Sequence, residues 1–156
     1  MKAYAWLATI GVFAACGGRP PVQIDPNARP VTPRWNATLQ TPASLAGAVQ
    51  VQGTGWMAAS DHDSTHTEAH VDIANAAPGG QHPWHVHRGR CGNDLGIVGD
   101  PKAYPILDVG SDGKAAGIAR LDLPAPKSGD YFVNVHASAN NMGTIIACGN
   151  LAPPAR

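Results

Sequence analysis

Three histidines stand at a spacing that can do chemistry. His85 and His87 flank Val86 in the run His82-Pro83-Trp84-His85-Val86-His87, and His136 closes the later run Tyr131-Phe132-Val133-Asn134-Val135-His136. On a β-strand, alternate residues face the same side, about 6–7 Å apart given the strand rise. Two imidazoles so placed can grip one ion, and a third from a neighbouring strand can complete a planar or distorted set. Nitrogen-only ligation suits Cu(II), with zinc next by ligand type. A His-x-His pair is equally what one buried and one exposed histidine would give. His136 is what discriminates, because a metal-free domain has no need of a third histidine in register with the pair.

A second group of histidines invites the same question. His62, His66 and His70, with Glu68 and Asp72, share one parity around and along a hairpin. A surface zinc site or a copper-collecting stripe is one reading. The polar outer face of a half-buried strand explains the alternation without metal and is preferred. Trp35, Trp56 and Trp84 read as packing residues, and Trp84 faces opposite to His85 and His87 by parity.

The elements that must carry these residues are short strands. Ala37–Gln40 opens the domain. Val49–Gln52 alternates and continues towards Trp56 and Ala58, and Thr65–Ala74 alternates again after the turn Ser60–Ser64, which predicts a hairpin. Ala69, Val71 and Ile73 share the core face of the second strand. Residues 77–80 turn the chain into the His82–His87 strand. A Gly- and Asp-rich loop runs from Cys91 to about Lys102, and Ser111–Lys114 predicts a hairpin turn between strands at Ile106–Val109 and Ala115–Leu123. Tyr131–His136 and Thr144–Leu151 close the domain. About eight antiparallel strands with no helical period imply an all-β Greek-key barrel or sandwich.

The composition agrees. Lys and Arg number 11, as do Asp and Glu, so no net charge favours a nucleic acid or a polybasic contact with membrane. Charged residues are 14% of the chain, with 18 Gly and 14 Pro, which excludes both a polyelectrolyte and a helical bundle. Residues 1–15 hold one lysine and then an apolar run too short for a membrane span, the pattern of a signal peptide. Phe13-Ala14-Ala15-Cys16 resembles a bacterial lipobox, in which Cys16 would be lipidated. Cleavage near Ala15 to give an ordinary secreted protein is the alternative. Residues 16–35 then form a Pro-rich tether, and residues 36–152 form the folded domain. The chain has 3 cysteines, so lipid on Cys16 would leave Cys91 and Cys148 as a pair in an oxidising compartment. The expected setting is a membrane-anchored lipoprotein facing the periplasm or the cell exterior.

The ordered set His82-Pro83-Trp84-His85-Val86-His87, Cys91, Asp112-Gly113, Asn134-Val135-His136 and Ala147-Cys148-Gly149 resembles the Cu/Zn superoxide dismutase family over roughly residues 36–151. The resemblance implies copper on His85, His87 and His136, a Cys91–Cys148 disulfide, and His82 holding the site's surroundings rather than the metal. The departures are as informative. Gly92–Tyr104 contains no histidine, so the family's bridging imidazole and zinc site have no place here, and zinc is not expected. Asp94, Asp100 and Asp108 are the only carboxylates in reach, none in the family's sequence context. Ile145 stands where the family has an arginine that guides superoxide. Arg88 and Arg90 are the nearest cations and read as solvated loop residues. The implied function is an exported, copper-only superoxide dismutase-like protein acting on superoxide. A non-catalytic copper-buffering module is the alternative, and a metal-free structural sandwich is a third.

Overall fold

The computed structural model describes residues 32–154. The apolar leader, Cys16 and the tether up to residue 31 lie outside the described residues. Ten strands follow one another: β1 Trp35–Gln40, β2 Gln52–Ala59, β3 Thr67–Ala74, β4 Gln81–His82, β5 Trp84–Arg90, β6 Asn93–Ile97, β7 Leu107–Asp108, β8 Ala115–Leu121, β9 Tyr131–Ser138 and β10 Asn141–Leu151. Among the described residues the only helical segments are single 3-10 turns at Ala43–Leu45 and Pro101–Ala103. The fold is all-β. Eight strands form one antiparallel sheet in the order β6-β5-β9-β10-β1-β2-β3-β8, and β4 pairs with β7 apart from it.

That sheet curls over a single core. Val133 of β9 lies 3.1 Å from the point where a Cβ on Gly55 of β2 would stand, and the Trp84 indole of β5 lies 2.9 Å from the matching point on Gly117 of β8. Strands distant in sheet order therefore face one another across Trp84, Leu107, Leu39, Met57 and Val71. The result is a half-closed Greek-key barrel whose open edges are β6 and β8. Period-2 alternation drives it. In β3, Ala69, Val71 and Ile73 are buried, while Glu68, His70 and Asp72 face outward. The β2–β3 hairpin keeps one register from Gln52↔Ala74 to Ala59↔Thr67.

Several boundaries differ from the sequence reading, each for a local reason. The expected His82–His87 strand is two strands, because Pro83 has no N–H to continue the ladder; its carbonyl instead accepts the His136 N–H at 2.8 Å. The first strand begins at Trp35, whose indole donates to the Pro126 carbonyl at 3.1 Å and packs edge-on against Tyr131. Residues 49–51 precede β2 rather than belonging to it. Part of the supposed loop after Cys91 is β6, paired with β5. The turn at Ser111–Lys114 does join β7 to β8, but these do not pair: β7 bonds to β4 and β8 to β3. Finally, β10 starts at Asn141, so the segment between His136 and Cys148 is a tight hairpin with bulges rather than a loop.

Candidate metal centre

β5 and β9 lie side by side with Trp84↔Val135, His85↔Asn134, Val86↔Val133 and His87↔Phe132 in register. Trp84, Val86, Val133 and Val135 turn into the core, and the opposite parity sends His85, His87, Phe132, Asn134 and His136 to the other face of the same strands. That face is not solvated. His85, His87 and His136 are 6%, 4% and 5% exposed. The Tyr104 ring stands edge-on to His85 at 5.2 Å, and Phe132 stacks on His87 at 5.2 Å. The three ring centroids are separated by 5.3–6.1 Å.

One nitrogen from each ring can be chosen so that all three lie within 4.8 Å of one another. The hydrogen bonds say which nitrogens these are. His136 Nδ1 lies 2.6 Å from the Met142 carbonyl oxygen, an acceptor only, so Nδ1 carries the proton and Nε2 keeps a lone pair. His87 Nδ1 lies 2.9 Å from Asp94 Oδ1, and His87 Nε2 is buried with no hydrogen-bond partner among the described residues. His85 Nδ1 faces His136 Nε2 at 3.3 Å. Two imidazole nitrogens each about 2.0 Å from one ion at a tetrahedral angle stand about 3.3 Å apart. A buried polar atom without a partner is costly, and a cation between His85 Nδ1, His87 Nε2 and His136 Nε2 would satisfy His87 Nε2. The donor set fits a metal ion.

Electrostatics keep the His85 and His136 rings unprotonated. Burial, and then the neighbouring His136 and His87 rings, push the His85 imidazole down to about 4. Burial likewise lowers His136, against the pull of its bond to Met142. Both rings are therefore neutral near pH 7, as metal ligands must be. For Asp94, burial acts upward, but the Gly96 N–H and the His87 imidazole outweigh it and hold the carboxyl below its ordinary value.

Part of the surroundings comes from segments that the sequence reads as loops, β6 and the start of β10. Asp94 sits on β6 and also accepts the Gly96 N–H at 2.7 Å. The Met142 carbonyl is freed for His136 because the β9–β10 register shifts between Asn141 and Ile145. His82, on β4, places Nδ1 3.1 Å from the His136 carbonyl and 2.9 Å from that of Ala137, bracing the β9 backbone behind His136. Cys91 and Cys148 form a disulfide. A cleft of about 840 Å³ opens beside His136, lined by Phe132, Asn134, Met142, Ile145, Asp94 and the disulfide among others. Ile145 pairs directly with His136. Neither Arg88 nor Arg90 lines the cleft; Arg90 pairs with Asp130 at 2.9 Å.

The second histidine group does not converge. His66 sits between Asp63 at 2.9 Å and Asp122 at 3.4 Å, and His70 stacks on Trp56, which Arg34 covers from 4.1 Å. Among the described residues, His85, His87 and His136 are the only group of three or more that could share an ion.

No protein-family model matches the chain, and no curated protein sequence does. Among solved structures, the chain is similar to a double mutant of a SOD-like protein from Bacillus subtilis, at 19% identity with a TM-score of 0.47, over 75% of this chain and 96% of that one.

Proposed function

We propose that this protein binds one copper ion through His85 Nδ1, His87 Nε2 and His136 Nε2 and acts as an exported, copper-only, slow superoxide dismutase. The observation that carries the reading is the buried His87 Nε2, unpartnered among the described residues, in one cluster with His85 Nδ1 and with the His136 Nε2 lone pair, which the bond from His136 Nδ1 to the Met142 carbonyl fixes. Three imidazoles and an open cleft suit a copper ion better than a closed structural zinc site, which takes four protein ligands. Copper would supply a centre that alternately accepts and donates one electron, converting superoxide to oxygen and hydrogen peroxide. The protein's part is to hold three neutral imidazoles, keep the β5 side dry with Tyr104 and Phe132, and leave access beside His136. Every imidazole of the trio would be committed to the ion, so none of the three is free to deliver a proton.

Turnover is slow because, among the described residues, no lysine or arginine lines the cleft. Electrostatic focusing changes association rates by about 10–10³, and the cleft offers Ile145 where a guiding arginine would help. That same feature favours the second reading, a copper-buffering module with little turnover. For the setting outside the cytoplasm, the short apolar leader and the Cys91–Cys148 disulfide lend support. Attachment through lipid on Cys16 would be checked by palmitate labelling.

Copper-loaded domain should bind one equivalent of copper with nitrogen hyperfine splitting in its EPR spectrum. His136→Ala should change that spectrum. Superoxide removal above that of free copper and of the His85→Ala variant would separate the enzyme from the buffer. A domain that takes up no stoichiometric copper sinks both readings.

A further inference from the structure

We propose that Asp94 is a positioning residue for this centre: it locks His87 as the Nδ1–H tautomer and, by bracing that ring with an anion, lowers the reduction potential of the ion it holds. The second half rests on the copper reading above; the first half stands without it.

The geometry is specific to one ring. His87 Nδ1–H donates to Asp94 Oδ1 at 2.9 Å, while His136 Nδ1–H donates to a neutral peptide carbonyl. A charge-assisted bond is roughly twice as strong as a neutral one. It makes the far nitrogen, Nε2, more basic and fixes the direction of its lone pair. Asp94 is half-exposed, yet it does not depend on His87 alone for its orientation, because the same Oδ1 takes the Gly96 N–H at 2.7 Å. Asp94 pairs with Gly89, two residues along β5 from His87, which places it diagonally to His87 on the β5–β6 ladder. A second consequence follows from where the carboxylate lies. Among the described residues, Asp94 is the one charged side chain lining the cleft. Its charge therefore stabilises the oxidised cation and at the same time repels an anion approaching it.

One position thus governs two effects of opposite sign, which a merely structural residue would not. The first test uses metal-free protein with ¹⁵N-labelled histidine, whose long-range ¹H–¹⁵N spectrum reports each tautomer directly. His87 should carry its proton on Nδ1; Asp94→Ala should lose that fixed tautomer, and Asp94→Asn, whose amide oxygen still accepts, should keep it. In copper-loaded protein, Asp94→Ala should weaken binding by about 10–100-fold in a chelator competition. Asp94→Asn should raise the reduction potential and speed the reaction with superoxide per bound copper. A wild-type His87 protonated on Nε2, or one whose tautomer is indifferent to Asp94→Ala, overturns the positioning role. An unchanged potential in Asp94→Asn overturns the tuning role. If the wild type binds no copper, the tuning role falls together with the copper reading, and the spectrum of the metal-free protein still decides the tautomer.

Discussion

At the scale of single side chains, burying three imidazoles against one another makes the metal-free protein sensitive to acid. In the unfolded chain His85 takes a proton near its ordinary 6.5, but in the folded domain only near about 4. Between those values the unfolded state holds more protons, so stability rises with pH across that window. It is complete above 6.5 and is lost as the pH falls towards 4, with His136 displaced in the same direction. A displacement of this size is worth on the order of 3 kcal/mol. Urea midpoints of the chelated domain should therefore drop between pH 7 and pH 4.5, and His85→Gln should flatten the dependence. An equal slope in both proteins would show that other groups control it. These histidines were legible in the sequence because parity on a strand is a strict rule, so His85 and His87 had to share a side. Asp94 was legible only as one of three carboxylates in reach, since its approach depends on β6 pairing Asp94 with Gly89, and that segment reads as a loop.

At the scale of elements, the β5–β6 hairpin does the positioning, and Gly89 makes it possible. Its φ is +101, and a Cβ there would stand 2.2 Å from the Asn93 carbonyl oxygen. Gly89→Ala combines a left-handed backbone with a clash against main chain, for a cost of about 2–4 kcal/mol. Thermal unfolding should show this loss, and copper affinity should fall with it because Asp94 leaves His87. A melt unchanged by the substitution would mean that the hairpin relaxes freely and does not fix Asp94. The sequence did reveal the β2–β3 hairpin, where turn residues sit between two cleanly alternating runs. It concealed β6 because Asn93-Asp94-Leu95-Gly96-Ile97 is an exposed edge strand with a glycine inside it, and its composition is that of a loop. It concealed the split at Pro83 for the opposite reason: the alternation runs straight through the proline although the ladder cannot.

At the scale of the whole molecule, fold class followed from the number and spacing of short strands, whereas the way the sheet curls depends on contacts such as Val133 with Gly55 that join distant parts of the chain. The Cys91–Cys148 disulfide is the covalent member of that long-range set. It links residues 57 apart in sequence, tying the β5–β6 turn to β10. Cys91 N–H also donates to the Asn150 side chain at 2.8 Å across the same junction. Closing a loop of that length contributes about 4 kcal/mol on the chain-entropy account, a large share of the roughly 5–15 kcal/mol that stabilises a typical domain. The bridge has a second effect. Asp94 lies three residues beyond Cys91, and the Met142 carbonyl lies on the strand that carries Cys148, so the two groups that orient His87 and His136 hang from the two segments it joins. The Cys91→Ser/Cys148→Ser variant should lose about 4 kcal/mol in urea unfolding and should also bind copper more weakly at temperatures where it is still fully folded. Reduction of the wild type should reproduce both losses. A folded variant with undiminished copper affinity would show that hydrogen bonding alone holds the rings in place, and that the disulfide serves only stability.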